Sequence, residues 1–131
     1  MLNLLEQALA EYNSRYNTSF SHSDLWSLFP TSKEEYGFHG QWPHGDCPGV
    51  YVIFDKDMNI IYVGMASSLG KRLYDHFRGG QECVFTENWN ITPNALVTIP
   101  VDKDASWERL SLEEFLIQKF NPSENVRGKI K

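Results

Sequence analysis

Two strand-like segments joined by a short turn constrain the fold of this chain more than any other feature. Residues 49–55 and 60–64 are rich in Val, Ile, Tyr and Phe, which favour extended backbone. The residues between them, 56–59, read Lys-Asp-Met-Asn and are suited to a turn. Together the three stretches predict a β-hairpin.

The register of this hairpin decides where its tyrosines point. A turn centred on the middle of residues 56–59 pairs Tyr51 with Gly64 and Tyr62 with Ile53. Because side chains alternate between the faces of a strand, Tyr51 and Tyr62 then project from the same face. Gly64, which carries no side chain, leaves room opposite Tyr51 for its ring or for a ligand.

Residues 1–46 predict a helical arm followed by a loop. Apolar residues recur at helical spacing over residues 2–16, which indicates an amphipathic helix; they are Leu5, Ala8, Leu9 and Tyr12. Ser23 is suited to cap a short helix over residues 24–28, which Pro30 would end. The Gly and Pro residues of 30–48 indicate a loop.

Residues 47–131 predict a compact α/β unit. A helix should run from Ser67 or Ser68 to about Phe77 and stop at Gly79-Gly80, followed by a third strand over 95–101. A final helix should begin at Asp104 or Ser106 and end near Phe120. We therefore expect an α/β fold with a small three-stranded, mainly antiparallel sheet flanked by helices, carrying an N-terminal helical extension.

One carboxylate in the final helix has an unusual position. At about 100° per residue, Glu113 falls within the apolar stripe and Glu114 falls on the polar side. The stripe is formed by Leu110, Leu116, Ile117 and Phe120. A carboxylate among apolar side chains costs several kcal/mol unless it is paired or binds a cation. A partner Arg and a metal ion are both open explanations for Glu113 at this point.

Charge, hydropathy and cysteine content restrict the partners and the cellular compartment that we expect for the protein. The net charge is −5, of which residues 1–46 carry −4 and residues 47–131 carry −1, so charge alone does not favour nucleic-acid binding. The chain has no run of about 18 apolar residues and no basic leader, which argues against a membrane span or a signal peptide. Cys47 and Cys83 are then expected to be reduced thiols in a cytoplasmic protein.

Over residues 47–126 the chain resembles the GIY-YIG nuclease domain family. The two signature tripeptides occur as Gly49-Val50-Tyr51 and Tyr62-Val63-Gly64. The spacing from Tyr62 to Arg72 is that of the family, and His76 stands where the family has His or Tyr. Met65 departs from the pattern, which often has a polar residue after the second tripeptide.

The resemblance extends to a closing element in which a Glu is followed by Ile, Pro and Asn. Aligning Ile117, Pro122 and Asn125 with that element makes Glu113, not Glu114, the metal-ligand position. The helical stripe selects the same residue independently. Residues 1–46 lie outside the resemblance.

The resemblance implies metal-dependent hydrolysis of DNA phosphodiester bonds. Glu113 would hold one divalent cation, Mg²⁺ or Mn²⁺. Tyr51 would act as general base or position the attacking water with Tyr62 close by, helped by the cation or by His76 because a phenol has a pKa of about 10. Arg72 would stabilise transition-state charge, and Asn125 would tie the site together by hydrogen bonding.

The expected partner is DNA, whether plain duplex, branched or otherwise structured. A short basic strip would contact it, formed by Lys71, Arg72, Arg78, Arg127, Lys129 and Lys131. Gly49 and Gly64 are expected to be structural glycines. The acidic arm would face away from DNA or bind a protein partner.

Two alternatives carry less weight than the nuclease. The same fold would also suit a catalytically weak module that binds nucleic acid or protein. A zinc site is a further alternative, since His39, His44 and Cys47 occur within nine residues of one another, but these ligand types are scattered through a Gly/Pro-rich loop.

Overall fold

The computed structural model describes residues 2–29, 42–77 and 89–125. Their centre is a four-stranded antiparallel sheet with the strand order β1-β4-β2-β3. The elements in chain order are α1 (Asn3–Tyr16), β1 (Trp26–Ser27), β2 (Gly49–Phe54), β3 (Ile60–Ala66), α2 (Leu69–Phe77), β4 (Ala95–Pro100), a 3₁₀ turn (Lys103–Ala105) and α3 (Glu108–Phe120). The three predicted strands are present, and β1 is an addition to them.

The hairpin register is the predicted one. Tyr51 lies opposite Gly64 and Tyr62 lies opposite Ile53. The register shifts after Ile53, so that Phe54 pairs with Ile60. In the turn, one carboxylate oxygen of Asp55 accepts the backbone N–H groups of two turn residues at 2.9 Å each, which fixes its conformation.

The sheet carries helices on both faces. Buried residues of α1 and α3 pack with Val52, Val63 and Val97 on one face. The apolar residues of α2 pack with Tyr51 and Ile53 on the other face. The predicted apolar residues of α1 are all buried; they are Leu5, Ala8, Leu9 and Tyr12. The N-terminal helix is therefore part of the core beside the sheet.

The short helix predicted over residues 24–28 is not formed. Trp26 and Ser27 instead pair with Leu96 and Ala95 of β4 as a two-residue edge strand. Ser23, the predicted helix cap, hydrogen-bonds the sheet: its hydroxyl oxygen accepts the Thr98 N–H at 3.0 Å, and its own N–H donates to the Thr98 carbonyl at 2.8 Å. The edge of β4 thus provides hydrogen-bond partners for backbone groups of this segment, which in a helix would have bonded to one another.

The final helix differs from the prediction at its start and on its buried face. It begins at Glu108, and the residue before it, Trp107, makes no side-chain cap. Leu110 is 52% exposed, whereas Leu112 is buried. Helix α1 accounts for the change, because Tyr12 packs on Phe115 and so covers the side of α3 that carries Leu112.

The start of α2 is docked on the preceding loop. The N–H groups of Leu69 and Gly70 donate to the carbonyls of Cys47 and Gly45, each at 2.9 Å. Ser68 stands directly before the helix, where its carbonyl accepts the Arg72 N–H. The predicted stop at Gly79-Gly80 lies outside the described residues. Within the part that is described, no helix is long and apolar enough to cross a membrane.

Candidate active site

A buried tyrosine hydroxyl and an imidazole meet on the α2 face of the sheet. Tyr51 on β2 is 1% exposed and His76 on α2 is 2% exposed. They share a hydrogen bond of 2.8 Å between Tyr51 Oη and His76 Nε2. A proton can be transferred between a donor and an acceptor at this distance.

Tyr62 and Arg72 complete this group around the Tyr51 hydroxyl. Burial raises the pKa of Tyr51 above its ordinary range, the Tyr62 hydroxyl raises it further, and the charge and hydrogen bond of Arg72 oppose the rise. Tyr51 is therefore a neutral phenol at pH 7. Tyr62 is only half-buried, and its ring lies 6.0 Å from that of Tyr51. The predicted common face of the two tyrosines is confirmed.

Two signature glycines make room for this arrangement. A Cβ on Gly64 would lie 2.4 Å from Cζ of Tyr51, inside the space that the ring occupies. A Cβ on Gly49 would lie 2.3 Å from the Ile99 carbonyl oxygen on the neighbouring strand. The first glycine admits the Tyr51 ring, and the second admits close approach of β4.

Asn125 closes the free edge of β3 beside Tyr62. Its side-chain oxygen accepts the Val63 N–H at 2.7 Å, and its side-chain nitrogen donates to the Val63 carbonyl at 2.8 Å. The N–H of Glu124 donates to the Ile61 carbonyl at 2.9 Å. Residues 124 and 125 thus hydrogen-bond the strand on both sides of Tyr62 and fix the backbone that carries it.

Glu113 is carried by α3, the last helix of the described chain. It is half-buried on α3, next to the buried residues Leu116 and Ile117, whereas Glu114 is exposed and accepts a hydrogen bond from Gln118. Helix α3 packs mainly on β3, the strand that carries Tyr62. The structure therefore brings Tyr51, Tyr62, Arg72 and His76 together, and Glu113 stands on the helix that packs on the strand of Tyr62.

The side chains that could bind a divalent cation are scattered in the described part of the chain. In residues 2–29, 42–77 and 89–125 no three or more His, Cys, Asp or Glu side chains cluster in a way that could hold a metal. A protein site for Mg²⁺ commonly supplies one or two carboxylates and leaves the remaining positions to water and phosphate oxygens. A single half-buried Glu113 fits this mode. It does not fit a closed structural site; the zinc alternative includes His39, which lies outside the described residues.

The remaining predicted residues are only partly covered by the structure. Lys71 and Arg72 are exposed on α2. The other members of the basic strip lie outside the described residues: Arg78, Arg127, Lys129 and Lys131. His39 and Cys83 lie outside them too. His44 is exposed, and its Nδ1 lies 2.9 Å from the Thr98 hydroxyl oxygen.

One site residue was missed by the sequence reasoning. Trp89 packs edge-to-face on Tyr62, with ring centroids 5.6 Å apart, and lies 6.0 Å from the His76 ring. It follows a polar stretch and belongs to no strand or helix. The available signal was a lone tryptophan among polar residues, which does not reveal what it packs against.

Most of this chain is similar to known proteins. A family model described as the GIY-YIG catalytic domain matches residues 47–126. Curated relatives include the UvrABC system protein C of Flavobacterium johnsoniae, which is 38% identical over 86 residues, covering 62% of this chain and 13% of that protein.

Two further relatives carry the same name. UvrABC system protein C of Mycoplasma mycoides is 37% identical over 84 residues, covering 60% of this chain and 13% of the relative. That of Streptococcus pyogenes is 36% identical over 84 residues, covering 64% and 14% respectively. The chain thus corresponds to a small part of the length of each of these proteins.

Proposed function

The chain belongs to the GIY-YIG catalytic domain family, and from this membership we propose that it is a metal-dependent endonuclease that hydrolyses DNA phosphodiester bonds. The observation that carries the proposal is the group around the Tyr51 hydroxyl, where His76, Tyr62 and Arg72 meet. A proton donor, a proton acceptor and a fixed cation at one point are what phosphodiester hydrolysis requires.

The metal requirement is assigned to Glu113. Its carboxylate would hold one Mg²⁺ or Mn²⁺, with water and phosphate oxygens as the other ligands. When bound, such a cation polarises a phosphate oxygen and stabilises the leaving oxygen. Glu113 is half-buried on α3, and a bound cation would stabilise its ionised carboxylate there.

The proton chemistry is assigned to Tyr51 and His76 together. Because burial keeps Tyr51 neutral, its oxygen can accept a proton from the attacking water only as its own proton leaves. His76 Nε2, 2.8 Å away, is the acceptor for that proton when the imidazole carries its hydrogen on Nδ1. Tyr62, the less buried tyrosine, would orient the water.

Arg72 and Lys71 would hold the phosphate. The Arg72 guanidinium lies at the Tyr51 hydroxyl, where its planar donors suit a phosphate that gains charge in the transition state. Lys71, the neighbouring exposed residue of α2, would contact the DNA backbone outside the reacting centre. These roles make α2 the helix that faces the substrate.

The alternative is a catalytically weak module that binds nucleic acid or protein on the same fold. Every expected catalytic position carries a suitable residue type, which favours the enzyme. A binding module would also have no need of a buried Tyr–His hydrogen bond. The chain corresponds to a small part of its relatives named UvrABC system protein C. We therefore also propose that a partner protein supplies part of the DNA affinity, in the cytoplasm, where the described Cys47 would stay a free thiol.

The deciding experiment is nicking of supercoiled plasmid and cleavage of branched DNA by the full chain with Mg²⁺ or Mn²⁺. Glu113→Gln should abolish cleavage and weaken calorimetric metal binding while the fold persists, because it removes the charge and keeps the volume. The matched control is Glu114→Gln on the exposed side of the same helix, which should cleave normally. Full cleavage by Glu113→Gln would end the metal assignment, and DNA binding without any cleavage by the native chain would favour the binding module.

A further inference from the structure

Trp89 packs against Tyr62 and against the aromatic rings next to it. Its ring meets Tyr62 nearly at right angles, at 84°, and stacks on Phe77 at 20° with centroids 6.1 Å apart. The His76 ring lies 6.0 Å away. Trp89 therefore touches the partly exposed tyrosine and the residues that hold the imidazole.

The backbone that carries Trp89 is tied to the strand of Tyr62. The N–H of Asn90 donates to a carboxylate oxygen of Glu124 at 3.2 Å. The N–H of Glu124 in turn donates to the carbonyl of Ile61, which precedes Tyr62. Ring and backbone contacts of Trp89 thus converge on one position of β3.

Among the described residues, three rings surround that of Tyr62: those of Tyr51, His76 and Trp89. Tyr62 is half-buried and lies on β3, which is an edge strand of the sheet that the described residues form. Inward, it meets Tyr51 and His76 at centroid distances of 6.0 and 6.1 Å. An edge-to-face ring on the outer side removes the freedom of Tyr62 to swing towards solvent.

We propose that Trp89 is a positioning residue that holds the Tyr62 ring against Tyr51 and His76. The proposal rests on the proposed nuclease function and deepens it, since Trp89 acts through Tyr62. The indole nitrogen of Trp89 is buried and finds no acceptor among the described residues, so the ring and not its polar group provides the contact. A phenyl ring at this position should therefore serve the same purpose.

Trp42 provides the matched control. Its ring also neighbours Phe77, at 6.2 Å, and it packs on Trp26 of β1, at 5.5 Å. Its indole nitrogen is also buried without an acceptor in the described part of the chain. Loss of either indole removes a ring from the same cluster, and Trp89 is the one that contacts Tyr62.

The test compares Trp89→Leu, Trp89→Phe and Trp42→Leu in the full chain. Thermal unfolding, kcat and KM for plasmid nicking, and the NMR signals of the Tyr62 ring are measured for each. Trp89→Leu should lower kcat by about tenfold to a hundredfold at unchanged KM, since small displacements of catalytic groups have effects of this size. Trp89→Phe should restore most of kcat. Trp42→Leu should lower the Tm and keep kcat.

The NMR readout separates this proposal from the proposed function. Trp89→Leu should shift the Tyr62 ring signals and speed up its ring flips, and Trp42→Leu should leave them unchanged, whether or not the protein cleaves DNA. Equal losses of kcat in both Leu variants, or unchanged Tyr62 signals in Trp89→Leu, would overturn the positioning role. A native chain that cleaves no DNA while these NMR differences hold would refute the nuclease and keep the packing assignment.

Discussion

At the residue scale, the proposed chemistry depends on Tyr51, whose side chain is almost inaccessible to solvent. A phenol with an ordinary pKa of about 10 is a poor base near pH 7, and burial makes Tyr51 poorer still. Its hydrogen bond to His76 changes what the phenol can do, because a proton gained on one side can be passed on at the other. Burial of Tyr51 and His76 would keep competing water away from the proposed proton transfer.

The first residue-scale prediction concerns Tyr51. Tyr51→Phe keeps the ring against Gly64 and removes only the hydroxyl, so turnover should fall by about a hundredfold or more. DNA binding, measured by fluorescence anisotropy, should change little because Tyr51 is buried. Arg72→Ala should cut turnover similarly and also weaken binding, since Arg72 is exposed. Loss of binding with normal turnover in both variants would favour the binding module.

The second residue-scale prediction concerns the closed edge of β3. Asn125→Ala removes both hydrogen bonds to Val63 and leaves a buried N–H and carbonyl without these partners, so the free energy of unfolding should fall by about 1–3 kcal/mol. Urea denaturation measures this loss. Asn90→Ala, at an exposed position whose backbone N–H bonds Glu124, should stay within about 0.5 kcal/mol of the native value. Equal stability of the two variants would show that the Asn125 side chain does not stabilise the edge of β3.

At the scale of helices and strands, the sequence predicts the features that depend on residues close together in the chain. The hairpin register follows from β-branched strands and a short polar turn, and both pairings of its tyrosines are observed. The segment 24–28 was predicted wrongly because the edge of β4 is distant in sequence from it. The buried face of α3 was shifted by α1 for the same reason. The contact between Trp89 and Tyr62 was not predicted, because only the folded chain brings the two residues together.

The N-terminal helix supports the sheet from the side opposite the tyrosines. Tyr12 donates a hydrogen bond to Ser111 at 2.8 Å, and Lys119 pairs with Glu11 at 2.6 Å. The ion pair is exposed and contributes little, so the buried apolar residues of α1 provide most of the attachment. The arm is thus a structural support for β2 and β3, the strands that carry Tyr51 and Tyr62.

Two adjacent leucines of α1 test this support. Leu5 is fully buried and Leu4 is 58% exposed. Leu5→Ala should lower the free energy of unfolding by about 2–5 kcal/mol, whereas Leu4→Ala should change it by about 0.5 kcal/mol or less. Denaturant titration distinguishes the two. A 47–131 fragment should accordingly lose most of its stability, and one that melts at the temperature of the full chain would show that the arm is dispensable.

At the scale of the whole molecule, charge is arranged so that the acidic helix avoids the proposed substrate. Glu6 and Glu11 lie on α1, in the layer across the sheet from Tyr51 and His76. Lys71 and Arg72 lie on α2, in the same layer as the tyrosines. A net charge of −5 therefore need not prevent DNA from approaching the α2 face, although it limits how many phosphates the chain can neutralise.

This charge distribution predicts that the protein binds plain duplex DNA weakly and that its affinity depends little on salt concentration. Non-specific affinity comes from phosphate contacts, and a net charge of −5 limits how many phosphates the chain can neutralise. We therefore expect a Kd that is micromolar or weaker at physiological salt. Anisotropy titrations at several salt concentrations give the slope of log K against log salt. Lys71→Ala should flatten that slope by about 0.9, the value for one lost contact. Lys119→Ala, which removes a base of equal charge from the α1–α3 layer, should leave it unchanged. Equal effects of the two substitutions would mean that DNA responds only to net charge and that α2 is not the face that meets the substrate.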